Sequence, residues 1–171
     1  MNAKIPIRNS VRILLINQDK EICLMCIETP KSTSKNGECL DRFWCTIGGE
    51  INFDESLEDA AIRELKEETG LNLDDVTFGP EIWLEEFDMM LSGKLTRMNQ
   101  RFIIAHTSNK QITTKYLTPE EQEVVKEVKW FGLADILNSK EVIYPILLQN
   151  YLPDVLEGKY PIEPIWIELR V

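Results

Sequence analysis

The sequence predicts an α/β protein, an α/β/α sandwich in which a mixed sheet carries helices on both faces. Three observations lead there. Short apolar runs bounded by turn residues recur along the chain, and residues 56–69 show helical periodicity with a cap at each end. Strands and helices interleave without the regular βαβ rhythm of a parallel sheet. At 171 residues with 43% hydrophobic content, the chain can build one domain with a substantial core, expected to span residues 1–171.

The elements follow in order. Residues 10–17 (S-V-R-I-L-L-I-N) and 21–28 (E-I-C-L-M-C-I-E) read as strands joined by a turn at Gln18-Asp19-Lys20. Residues 29–41 are polar, contain Pro30 and Gly37, and read as a loop. Residues 42–47 read as a short strand stopped by Gly48-Gly49. In the helix over 56–69, Ser56 is the N-cap candidate, Asp59 completes a capping-box-like pattern, and Gly70 fits the C-terminal cap. Strands follow near 76–87 and 95–106, connected across Ser92-Gly93, and a third covers 124–131. A short helix from Leu133 and a longer one over 141–156, ended by Gly158 and Pro161, complete the expectation.

Nineteen Lys and Arg against 29 Asp and Glu give a net charge of −10. That balance disfavours sequence-blind binding to nucleic acid polymers or to anionic membranes, while leaving room for an anionic small molecule if a divalent cation supplies positive charge. The apolar run Ile13-Leu14-Leu15-Ile16 is too short for a signal-peptide core or a membrane span. Cys23, Cys26, Cys39 and Cys45 need no disulfide framework. In a strand, Cys23 and Cys26 point to opposite faces, so they read as buried reduced thiols and not as a zinc pair. A reducing cytoplasm is the expected location.

The helix over 56–69 breaks the pattern of an ordinary amphipathic segment. Leu57, Ala60 and Ala61 form the core-facing stripe, yet the same side continues into Glu64, Glu67 and Glu68. These carboxylates are neighbours at i, i+3 and i+4, and they lie toward the C-terminal end, where the helix dipole also disfavours negative charge. Lys66 lies well round the helix, and Arg63 is spaced to pair with Asp59, so the cluster is uncompensated. A hard divalent cation such as Mg²⁺ or Mn²⁺, which takes oxygen ligands, removes the conflict.

The residues Gly49-x5-Glu55-x7-Arg63-Glu64-Leu65-x-Glu67-Glu68-x-Gly70-Leu71 resemble the Nudix box, G-x5-E-x7-R-E-U-x-E-E-x-G-U with U aliphatic, at every fixed position. At background frequencies of about 5–7% per residue, such a match arises by chance less than roughly once in a million such chains. Trp44-x-x-Ile47-Gly48-Gly49 resembles the usual entry to that box, and Val128-Lys129-Trp130-Phe131 with the segment from Leu133 to Ile136 resembles the family's late strand and helix. Ile47 stands where Pro is common and Asp54 where Gly is common, which touches loop geometry and no metal ligand.

The resemblance implies a Nudix fold and hydrolysis of the pyrophosphate in a nucleoside diphosphate derivative with Mg²⁺ or Mn²⁺. It implies Glu67 and Glu68 as metal ligands, Glu64 as ligand or water-activating base, and the Gly49 carbonyl as a further ligand. Arg63 is then the residue that orients Glu55 and Glu64. Family members also recruit a glutamate outside the box as base. Glu120, Glu121 and Glu123 are the candidates, with Glu121 preferred, although a run of glutamates is commonly a solvated loop. Arg8, Arg42 and Arg101 are possible phosphate contacts. His106 reads as structural, and Trp44, Trp83, Trp130 and Trp166 as core or pocket-wall residues.

The subfamily markers are negative. Glu85 and Glu86 stand where ADP-sugar enzymes carry proline, Phe87 and Asp88 where dinucleoside-polyphosphate enzymes carry tyrosine, and neither the NADH nor the coenzyme A signature occurs. Nucleoside triphosphates, nucleotide sugars and small phosphorylated metabolites stay open, for an enzyme expected as monomer or homodimer. The alternative is a non-catalytic nucleotide sensor of the same fold. Such relatives are expected to lose box glutamates, and this chain keeps all of them.

Overall fold

The computed structural model describes residues 4–28 and 42–168. The polar loop expected over 29–41, and Cys39 with it, lie outside the described residues. Eight strands form one mixed sheet: β1 Ile7–Asn17, β2 Ile22–Glu28, β3 Arg42–Glu50, β4 Val76–Leu91, β5 Lys94–Thr107, β6 Val125–Phe131, β7 Ile143–Tyr144 and β8 Ile165–Trp166. Among the described residues four α-helices accompany them: α1 Leu57–Thr69, α2 Pro119–Val124, α3 Leu133–Asn138 and α4 Leu148–Leu156. The strands lie in the order β6-β2-β3-β1-β5-β4-β8, with β7 beside β3. β1 is central, antiparallel to β3 and parallel to β5 over eleven register pairs.

Alternation along β1 divides the core. Val11, Ile13 and Leu15 pack with Ala60, Ala61 and Leu65 of α1, whereas Leu14 and Ile16 pack with Ile136 of α3 and Leu148, Leu152 and Val155 of α4. Helices therefore cover both faces, as expected. Cys23 joins the α1 side and Cys26 the opposite side, and both, with Cys45, are free buried thiols. Burial pushes the Cys45 thiol up to about 11.

Four expectations need correction. β3 does not stop at the glycines: Gly48 and Gly49 pair with Arg12 and Val11, and the strand continues to Glu50. Gly48 has φ +133°, and a Cβ there would sit 2.1 Å from the Val11 carbonyl oxygen, so only glycine lets the strand pass. The acidic segment after Thr118 is the short helix α2, not a loop, because the Thr118 hydroxyl accepts from Glu121 N–H while the Glu121 carboxylate accepts from Thr118 N–H. The last helix starts at Leu148, not Glu141. Residues 141–144 are drawn to β3, where Trp44 N–H donates to the Val142 carbonyl and Arg42 to Glu141, and Pro145 disfavours helix in the residue before it. Finally, Trp166 is 62% exposed on the edge strand β8 and is neither core nor pocket wall.

On the face away from α1, one row of the sheet is polar. Ser10, Gln100 and Glu85 are register partners across β1, β5 and β4, and all three are buried. Burial pushes the Glu85 carboxyl up to about 7, with the Arg12 guanidinium acting the other way. The folded protein thus keeps a proton that the unfolded chain releases, so Glu85 lowers stability as pH rises from about 4.5 to about 7 and levels off above. At about 1.4 kcal/mol per pH unit the effect reaches up to about 3 kcal/mol. Glu85→Gln is expected to melt above the wild type at pH 8 and to converge with it near pH 4.5. Thermal melts across that range check this, and coincident curves at pH 8 would refute it.

Candidate functional site

Helix α1 begins where Ser56 accepts Asp59 N–H and donates to its carboxylate. It ends where Gly70, at φ +75°, donates to the Lys66 carbonyl. Between these caps, Ala60 and Ala61 are completely buried against the sheet, and their small side chains hold the helix close to it. One and two turns on, the same face delivers Glu64 and Glu68 to the bend of β3. They are 4% and 2% exposed. Gly48 N–H donates to Glu68 Oε2 at 2.7 Å. Gly49 leaves the space that Glu64 fills, since a Cβ there would lie 2.5 Å from Glu64 Oε1. Burial pushes both carboxyls up, Glu68 well above the ordinary range, and for Glu64 the Arg63 guanidinium opposes the rise.

Arg63 does not pair with Asp59. Its Nε and Nη2 donate to the two oxygens of Glu55 at 2.8 and 2.9 Å, Nη1 donates to Glu64 Oε1 at 2.6 Å, and Nη2 also reaches the Glu50 carbonyl at 2.9 Å. This planar fork spans Glu55 and Glu64 and leaves Glu64 Oε2 buried without a hydrogen-bond partner. The arginine holds Glu55 below the usual carboxylate range, helped by Asn52 N–H. Asp54, at φ +64°, turns the chain into the helix in a conformation that explains why glycine is common at that position and that Asp tolerates.

Glu64, Glu67 and Glu121 each offer a carboxylate oxygen within 4.8 Å of the others. Glu121 comes from α2, which places it opposite α1, while Glu120 and Glu123 are exposed. Glu68 stands behind this group on Gly48. Glu64 and Glu121 border a cavity of about 290 Å³ that is also lined by Gly49 and by the apolar side chains of Met25, Ile27 and Phe43.

Of the arginines singled out as phosphate contacts, Arg8 lines this cavity. Arg42 is held by Glu28 and Glu141, and Arg101 by Glu81. His106 is hydrogen-bonded to Tyr160, and the indole N–H groups of Trp44 and Trp130 are taken by Glu141 and the Lys110 carbonyl. Two contributors escape the sequence reading. Phe43 supplies the aromatic wall, and Arg12 lines the cavity while donating to the Thr46 and Gly48 carbonyls. An arginine inside an otherwise apolar strand was the available signal for Arg12.

An oxygen-only cluster beside Gly48 and Gly49, with one buried carboxylate oxygen unsatisfied, is a candidate cation site on a mixed α/β/α fold. A family model described as the NUDIX domain matches residues 6–149, and the chain belongs to this family. A curated relative, the m7GpppN-mRNA hydrolase NUDT17 of Xenopus laevis, is 30% identical over 118 residues, covering 67% of this chain. The chain spans 38% of that relative's length. Among solved structures, a MutT protein from Methanosarcina mazei Go1 superposes with TM-score 0.60 at 21% identity over 92% of this chain and 98% of its own. The E. coli dihydroneopterin triphosphate pyrophosphohydrolase gives 0.60 at 18% identity over 91% and 99%. A C. elegans Ap4A hydrolase gives 0.60 at 17% over 88% and 98%. At these identities the structures show the shared fold. Among the described residues no helix is long and apolar enough to cross a membrane.

The fork makes a sharp prediction. Lysine keeps the charge of Arg63 but cannot hold two carboxylates in one plane. Displacing a catalytic group by about 1 Å can cost roughly a hundredfold in rate. Arg63→Lys is expected to lose most of kcat, with KM and Tm little changed, when assayed at saturating Mg²⁺. Near-wild-type kcat would show that Arg63 does not orient Glu64.

Proposed function

We propose that this chain hydrolyses the pyrophosphate linkage of a nucleoside diphosphate derivative with Mg²⁺ or Mn²⁺. The single observation that carries the reading is Glu64 Oε2, buried and unpaired on a residue that clusters with the carboxylates of Glu67 and Glu121. A buried anionic oxygen without a donor is costly and needs a positive partner. The donor set, entirely carboxylate with a backbone carbonyl at Gly49, suits a hard divalent cation. Glu64, Glu67, Glu68 and the Gly49 carbonyl would hold it. When bound, such a cation neutralises the charge of the pyrophosphate and lowers the barrier to attack by water.

The protein's own groups divide the remaining work. Arg63 and Glu55 fix the position of Glu64. The Glu121 carboxylate, oriented by the Thr118 N–H, stands at the cavity as the base that takes the proton of the attacking water. Met25, Ile27 and Phe43 offer an apolar surface for the nucleoside. The relatives support this class of chemistry through their names, which include an Ap4A hydrolase and a triphosphate pyrophosphohydrolase.

Phosphate or pyrophosphate release from a panel of nucleoside diphosphate derivatives, with Mg²⁺, Mn²⁺ or EDTA, tests the proposal. Binding without release from any member would instead identify a nucleotide sensor. Glu67→Gln and Glu68→Gln are each expected to lower turnover at least about a hundredfold, as loss of charge stabilisation at a phosphoryl centre does. Both should fold at least as stably as the wild type, because each removes repulsion within the cluster. Unchanged turnover in both variants would refute the cation site.

A further inference from the structure

The cavity has a second charged pole that pyrophosphate hydrolysis as such does not use. Arg8 and Arg12 of β1 both line the cavity that Glu64 and Gly49 border. The two guanidinium groups are close enough to repel: Arg12 lowers the pKa of Arg8, after the larger effect of burial, while Glu50 and Glu64 act the other way. The two arginines are not equivalent. Arg12 is committed to the bend of β3 through the Thr46 and Gly48 carbonyls, at 3.3 and 3.1 Å. Arg8 Nε is buried and has no hydrogen-bond partner. Its nearest carboxylate oxygen, on Glu50, is 3.5 Å away on a side chain 56% exposed. Such an exposed, loosely aligned pair is weak and readily exchanged for a better anion.

Charge matching says which anion. The carboxylate pole, once it holds its cation, answers the two phosphates of the linkage that is cleaved. Arg63 is consumed by Glu55 and Glu64. Arg12 also acts on the buried Glu68 and Glu85, so Arg8, held only loosely by Glu50, is the positive charge that a substrate with a neutral distal sugar would leave unused. A phosphate with free oxygens is the planar fork's natural partner.

We propose that Arg8, with Arg12 fixed beside it, binds a terminal phosphate beyond the cleaved linkage, so that the substrate is a nucleoside triphosphate or another ester ending in a free phosphate. Glu50 is the placeholder that this phosphate displaces. The inference rests on the hydrolase reading for the word substrate, but the anion site itself does not.

Inorganic triphosphate is therefore the probe, titrated calorimetrically into metal-free protein. Arg8→Gln is expected to weaken binding by about 10- to 100-fold, the effect of losing a charge-assisted pair. Glu50→Gln is expected to tighten it by roughly threefold, as release from a weak surface pair should. A gain of affinity cannot come from misfolding, so the second variant protects the test from a damaged first one. Arg8→Gln binding as tightly as the wild type, or Glu50→Gln binding no tighter, overturns the site. In turnover, Arg8→Gln should raise KM for ATP at least about tenfold more than it raises KM for ADP-ribose. Equal change on both substrates overturns the terminal-phosphate assignment. Absence of any turnover by the wild type, with the binding differences intact, would count against the hydrolase reading alone.

Discussion

Burying Glu64 and Glu68 on the sheet-facing side of α1 costs free energy that apolar side chains there would not, and the neighbouring residues are arranged around that cost. Each carboxyl is pushed toward its neutral form by desolvation first and then by nearby carboxylates, Glu67 and Glu121 at Glu64, and Glu64 and Glu121 at Glu68. The structure offsets this with donors placed one by one: the Gly48 N–H for Glu68 and the Arg63 guanidinium for Glu64. Both donors depend on the bend in β3. The bend exposes Gly48 N–H to the helix, and Gly49 leaves room for the Glu64 carboxylate that Arg63 grips. Arg12 closes the circuit from behind by holding the Thr46 and Gly48 carbonyls. A side chain at Gly48 or Gly49 would strike Val11 or Glu64, so the glycines are set by packing before any chemistry is considered.

One oxygen is left out of these compensations. Glu64 Oε2 has every reason to find a donor and none is supplied. A protein that satisfies the other oxygen of the same carboxylate at 2.6 Å has not simply failed to satisfy this one. The proximity of Glu67 and Glu121 sharpens the point, because two further carboxylate oxygens within 4.8 Å add repulsion rather than relief. The arrangement makes physical sense as half of a complex whose other half is a cation.

How much of this the sequence reveals depends on the range of the interactions. Helix α1, its caps and its misplaced glutamates are legible because they are written within fourteen residues at helical spacing, from Ser56 to Thr69. The Arg63 fork to Glu55 and Glu64 is reached only through the resemblance to the Nudix box, because helical spacing alone points Arg63 at Asp59. Helix α2 carried a local signal too, Thr118-Pro119 followed by Glu121, but the density of charge masked it. The cavity's remaining walls were beyond reach. Arg12, Met25 and Phe43 meet α1 only through the pairing of β1 and β2 with β3, which joins positions more than thirty residues apart for Arg12 and Thr46. Residues 141–144 have a helical pattern of their own, and a partner distant in sequence, β3, decided their fate. The same long-range pairing hides Glu85, whose unusual environment exists only because β4, β5 and β1 align it with Gln100 and Ser10.

The opposed poles of the cavity also resolve a tension in the composition. A chain of net charge −10 is a poor long-range attractor for a polyanion. At physiological ionic strength, however, charges beyond about 8 Å are largely screened, so the bulk of that surplus is felt weakly inside a recessed site. What the ligand meets there is local: carboxylates on α1 and α2 that suit a cation, and guanidinium groups on β1 that suit an anion. A cation–phosphate complex presents both signs at once, whereas a bare polyanion engages only the guanidinium end and so binds more weakly. Discrimination between the two thus comes from the separation of charge within one cavity, and the sheet fixes that separation because β1 and β3 are paired from Ser10 to Ile13 directly beside the glycine bend.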